Sequence, residues 1–136
     1  QVISLTDNIA TISAYANDIS YNDIFLQQLR NLLHPGDLVI AISGSGNSKN
    51  VLRAVSYSKK IGAKIVGFTG FGKGGKLMRL SDVSVVVKTN HYGPIEDLHL
   101  MVGHLIASCI AAIKHKELTN GRARRNKAVP YYIERS

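Results

Sequence analysis

The sequence predicts an α/β fold, a three-layer sandwich with a parallel sheet and flanking helices. Two features predict it. Short, β-branched apolar runs alternate with amphipathic helical patterns, and the connections between them are tight. At 136 residues and 45% hydrophobic, the chain is also the size of one domain with one core.

The first element follows Thr6, a candidate N-cap, with Ile9, Ile12, Ala16 and Ile19 spaced for one helix face and an end near Asn17-Asp18. A second helical pattern holds Ile24, Phe25, Leu29, Leu32 and Leu33. It stops at His34-Pro35-Gly36, because proline disfavours helix in the residue before it. The period then changes. Asp37 to Ile42 reads as a buried strand, Ser48 to Ile61 as an amphipathic helix and Lys64 to Thr69 as a second strand. Such a unit places its two strands in parallel with the helix on a face. Gly70 to Gly75 is a glycine-dense loop, Lys76 to Leu80 a brief helix and Asp82 to Val87 a third strand. Pro94 suits the first position of a long helix running to about Lys116.

Charge and cysteine content narrow the setting. The net charge is +8, of which +5 lies in the last 23 residues, centred on Arg122 to Lys127. A basic tail over residues 119–136 therefore follows a domain over residues 1–118. A solvated tail or subunit contact is favoured over nucleic-acid binding, which lacks the interleaved aromatics used for base stacking, although the tail leaves it open. No signal-like leader or uninterrupted apolar run of membrane-spanning length is found, so a soluble, cytoplasmic protein without a membrane partner is expected. Cys109, the single cysteine, lies in an apolar segment and is expected to be a buried small hydrophobe in a reducing compartment.

In parallel sheets ligands bind beyond the carboxyl ends of the strands, which is where Ser43-Gly44-Ser45-Gly46-Asn47-Ser48 falls. Its spacing is not a Walker A loop. It lacks the third glycine and the downstream acid of a dinucleotide fingerprint, and neither Ser43 nor Ser45 is flanked as in a nucleophile elbow. A phosphate cradle remains: the hydroxyls of Ser43, Ser45 and Ser48, close backbone approach at the glycines, and the amino end of a helix. An ordinary strand-to-helix turn capped by Ser48 is the competing reading.

Ile42-Ser43-Gly44-Ser45-Gly46-Asn47-Ser48, with Pro35-Gly36-Asp37 before it and Asn50-Val51-Leu52-Arg53-Ala54 after it, resembles the sugar isomerase (SIS) domain, whose fold is flavodoxin-like. The similarity is closest to the phosphoheptose isomerase branch, and it covers roughly residues 3–115 through Asn17-Asp18, Gly74-Gly75-Lys76-Leu77 and Ile95-Glu96-Asp97-Leu98-His99 to His104. The resemblance implies that Ser43, Ser45 and Ser48 hold the phosphate of a sugar phosphate and that Asp18 lies near the sugar. It implies that His104 is an acid/base residue able to ligate zinc, and that Glu96 contacts substrate or metal. No cofactor beyond that zinc is expected. The implied reaction is aldose–ketose interconversion of sedoheptulose 7-phosphate in a homo-oligomer, dimer or tetramer, with sites at subunit interfaces.

Three departures accompany the resemblance. Glu96 stands where relatives commonly have glutamine, and Gly44 where they often have threonine. The family's catalytic glutamate, on an earlier helix, has no counterpart after Gln1. The chain therefore reads as an N-terminally truncated isomerase domain or as a non-catalytic SIS module that binds phosphosugar or protein. On the last helix itself, Glu96 and His104 are about 12 Å of rise apart and point about 80° apart, so they cannot pair directly but can both face one ligand. A carboxylate and a histidine suit the proton transfers of isomerisation. His99 is expected to be structural.

Overall fold

The computed structural model describes residues 2–126, with side chains described through residue 119. Two compact units divide the chain, Gln1–Leu98 and His99–Ser136.

The first unit opens with α1 (Ile9–Asp18), a 3-10 turn over Tyr21–Asp23 and α2 (Ile24–Leu32). The N-cap of α1 is Asn8, not Thr6: its side chain accepts from the Thr11 N–H at 3.0 Å, while Thr6 is engaged with Ser4. Asn and Thr both cap helices, so composition alone did not separate the two positions. Then follow β1 (Leu38–Ser43), α3 (Lys49–Ile61), β2 (Lys64–Thr69), α4 (Gly75–Leu80) and β3 (Val83–Val86). All three strands are parallel, in the order β1-β2-β3. The register pairs Ser43 with Thr69 and Thr69 with Val86, which brings the carboxyl ends of the strands level.

Burial on one sheet face explains the helix positions. Ala41 and Ile65 point from β1 and β2 into a cluster with Val55 of α3 and Leu77 of α4, flanked by Val39, Val51, Leu52 and Leu80. Each fully buried aliphatic side chain there contributes roughly 1.5–3 kcal/mol through removal from water. Asp82 fastens β3 to β2: its carboxylate accepts the Ile65 N–H at 2.7 Å, and its own N–H donates to the Ile65 carbonyl at 2.9 Å. That first bond holds the Asp82 carboxyl below its ordinary value, helped by Lys59 and Lys64. α3 ends on Gly62, whose φ of 91° is the left-handed turn glycine adopts without strain.

β1 is not buried on both faces as its apolar run suggests. Leu38, Ile40 and Ile42, together with Val83 of β3, are all more than half exposed. A continuous apolar run signals two covered faces, and here the helices α3 and α4 cover one.

The last helix, α5 (Tyr92–Asn126), starts two residues before Pro94 and runs past Lys116. Its Tyr92–Thr119 segment has a mean hydropathy of 1.4 over its most apolar window, long and apolar enough by those measures to cross a membrane. The polar residues that interrupt the run, His99 and His104 among them, do not outweigh the apolar ones in an average. Cys109 is exposed rather than buried. Its apolar neighbours Leu105, Ile106, Ile110 and Ile113 are exposed with it, so an apolar segment does not here imply a covered one. The side chains of the expected basic tail from residue 120 onward lie outside the described residues.

Candidate functional site

Two loops meet at the carboxyl end of the sheet. The first, residues 43–48, leaves β1 through Ser43, which is 6% exposed, and turns tightly because the Gly46 N–H donates to the Ser43 carbonyl at 2.9 Å. Ser48 then begins α3. Its hydroxyl makes no capping bond; it lies 3.0 Å from the Ser43 hydroxyl instead. The first and last serines of the loop are thus brought side by side at the amino end of a helix 13 residues long. One hydroxyl donates within the pair and the other keeps its proton free, and a free donor beside the positive end of a helix dipole suits an anion. Ser45 stands apart from that pair. Its hydroxyl accepts the Asn47 N–H at 3.2 Å, and its carbonyl accepts from the Asn47 side-chain amide at 2.9 Å.

The second loop, residues 70–75, holds the first in place. The Gly70 N–H donates to the Gly44 carbonyl at 2.8 Å and the Leu77 N–H to the Gly46 carbonyl at 2.9 Å. The Lys76 N–H donates to Asn47 Oδ1 at 3.2 Å. Gly46 has a φ of 65°, and a Cβ there would collide with the Gly74 backbone; one on Gly75 would come within 2.6 Å of the Ser45 and Gly46 carbonyl oxygens. The two glycine clusters interlock, backbone against backbone, and only hydrogen side chains permit it.

Ile95, fully buried, packs against Gly70, and the Tyr92 ring lies over Gly44. A Cβ on Gly44 would sit 2.9 Å from Tyr92 Cε1. Tyr92 also meets Phe71 edge-on, with ring centroids 4.7 Å apart. The departure at Gly44 therefore has a local physical partner: the space a threonine would fill holds an aromatic ring.

The structure brings Ser43, Ser45 and Ser48 onto one short loop, and the other candidates belong to the helices α1 and α5. Asp18 is the last residue of α1, exposed. Glu96 lies one residue after the buried Ile95, and is exposed. His104 is exposed, whereas His99 is 6% exposed. Among the described residues no three His, Cys, Asp or Glu side chains converge on a point that could hold a metal ion. Glu96 and His104 therefore do not complete a zinc site with the described residues. Residues that sequence reasoning passed over are Asn47, which joins the two loops, and Tyr92 with Phe71. The side-chain oxygen of Asn47 in a glycine-serine turn is a legible signal, since asparagine commonly bonds nearby backbone. The aromatic pair had none, because its members lie 21 positions apart.

Comparison with known proteins agrees with the fold. The SIS domain model matches residues 1–70. A probable phosphoheptose isomerase from Thermoplasma acidophilum is 41% identical over 108 residues, 79% of this chain and 59% of that protein. The phosphoheptose isomerase of Paramagnetospirillum magneticum is 37% identical over 111 residues, 82% of this chain and 57% of that one. Among solved structures, a phosphoheptose isomerase from Neisseria gonorrhoeae superposes with a TM-score of 0.78 at 30% identity, covering 81% of this chain and 61% of its own. One from Francisella tularensis gives 0.74 at 30% identity, covering 78% and 56%. The chain thus spans somewhat more than half the length of the relatives it matches.

Proposed function

Because the chain belongs to the SIS domain family, we propose that it serves a phosphosugar isomerase of the phosphoheptose type, interconverting sedoheptulose 7-phosphate and the corresponding aldoheptose 7-phosphate. The observation that carries the proposal is the pairing of the Ser43 and Ser48 hydroxyls, 3.0 Å apart, at the amino end of α3. These two and Ser45 receive the phosphate, and Asp18 orients sugar hydroxyls.

Aldose–ketose interconversion moves one proton between adjacent carbons and one between their oxygens, through an enediol. His104 and Glu96 are the groups assigned to these transfers, each acting in turn as acid and base. A homo-oligomer with sites shared between subunits, in the cytoplasm, completes the reading. The exposed apolar run of Leu105, Ile106, Ile110 and Ile113 supports the association between subunits.

The test is turnover of sedoheptulose 7-phosphate by the full-length protein and by its H104Q variant. The expected result is aldose product from the parent and a rate lowered by about 100-fold or more in the variant, the usual size of a general acid–base contribution. A folded full-length protein that yields no product overturns the proposal.

One observation favours a second reading, a non-catalytic module that binds phosphosugar or protein: Asp18, Glu96 and His104 are all exposed, and none of their side chains makes a hydrogen bond or ion pair among the described residues. Saturable sedoheptulose 7-phosphate binding without turnover, lost in S43A, would establish it.

A further inference from the structure

Charge along the first unit is distributed unevenly. Residues 38–81 contain eight lysines and arginines and no aspartate or glutamate. Arg53 is engaged by the buried Asp23 at 2.8 Å, and Lys59 donates to the Leu80 carbonyl. Lys73, Lys76 and Arg79 have no carboxylate within 4.0 Å among the described residues. All three line one cleft of about 520 Å³, together with Ser45, Asn47, Phe71, Gly75 and Met78. The cleft thus begins on the serine loop itself, at Ser45, and leads away from it along α4.

Three like charges around one concavity repel one another, and each would be better solvated apart. Their cost falls when an anion enters. The loop interlock keeps them close to the serine cradle, because the Lys76 N–H is bonded to Asn47 and the Leu77 N–H to Gly46. Phe71 and Met78 supply apolar surface along the same cleft, enough to lie against a carbon skeleton between two anionic ends.

We infer that this cleft is a second oxyanion subsite, and that beside the proposed monophosphate substrate the site binds, more tightly, a sugar phosphate carrying a second acidic group, phosphoryl or carboxylate. One anionic end sits in the serine cradle and the other among Lys73, Lys76 and Arg79. The inference rests on the cradle reading of Ser43, Ser45 and Ser48.

Equilibrium binding to the full-length protein tests it, with sedoheptulose 7-phosphate, sedoheptulose 1,7-bisphosphate and 6-phosphogluconate as probes. Binding of at least one doubly acidic probe is expected to be about tenfold tighter than that of the monophosphate. In the exposed-surface variant K73Q/K76Q/R79Q that advantage should fall to within about twofold, while monophosphate affinity is retained. Which doubly acidic probe shows the advantage identifies the second group. Equal affinity for all three probes in the parent protein, or an advantage that survives the triple substitution, overturns the subsite and leaves the cradle standing. Monophosphate binding that is absent, or unchanged in S43A, overturns the cradle and the subsite with it.

Discussion

The two loops at the carboxyl end of the sheet are both rich in glycine and have opposite chemistry. Residues 43–48 offer hydroxyls and carbonyls, carry no charged side chain, and include the buried Ser43 and Gly46. Residues 70–75 and the turn of α4 after them offer backbone N–H groups inward and exposed cations outward. Neither holds its shape alone. The carbonyls of Gly44 and Gly46 and the Asn47 side chain are satisfied by Gly70 of the second loop and by Leu77 and Lys76 of α4. One loop acts as acceptor and the other as donor, so the polar groups between them are paired and fixed.

The interlock breaks most severely at Gly46. G46A places a side chain where φ is 65° and the Gly74 backbone already sits, so a loss of about 3 kcal/mol or more in unfolding free energy is expected. Chemical denaturation measures it, and a loss under 1 kcal/mol would show that the loops do not depend on each other.

S43A tests the ligand side of the same comparison. Removing one hydroxyl of the pair should cost about 10- to 100-fold in phosphosugar affinity, as for a hydrogen bond to a charged group. Stability should change by no more than about 1 kcal/mol, since the Gly46 turn uses the Ser43 carbonyl rather than its side chain. Titration calorimetry and denaturation on the same samples separate the two effects.

G44A presses a methyl group against Tyr92. A loss of about 1 kcal/mol is expected, and Y92A should cancel most of it in a double-mutant cycle. Additive losses would mean that the ring does not set the identity of residue 44.

The smallest effect concerns the β2–β3 clamp, away from both loops. The folded-state pKa of Asp82 lies below the ordinary 3.8, so its contribution is fully present above that value and is lost as pH falls through the lower, folded one. D82N should therefore be less stable than the parent at neutral pH, with the gap narrowing below about pH 4. A gap independent of pH would assign the loss to packing instead of charge.

Much of the fold was legible because local rules decide it. Gly62 closes α3, Pro35 lies beyond the end of α2, and the strand Lys64–Thr69 is where the apolar run places it. Less of the site could be read. The serine loop announced itself by composition and position, but the cationic cleft did not. Net charge summed over the first 113 residues is only +3, and that sum hides residues 38–81, where the charge is all of one sign. Asp18, Glu96 and His104 are legible only through the family resemblance and residue type; their side chains are exposed, and no local contact marks them.

By itself the sequence determined the order of elements, the parallel sheet and a polar glycine-serine loop at its carboxyl end. Those follow from side-chain periodicity, turn residues and spacing, which act over a few positions along the chain. Only the tertiary structure decided that Ser48 bonds Ser43 instead of capping its helix, that Gly46 needs Gly74 and Gly75, and that Tyr92 takes the space beside Gly44. Each of these is a contact between residues that no local periodicity relates, settled by which backbones can approach and which polar groups would otherwise go unpaired.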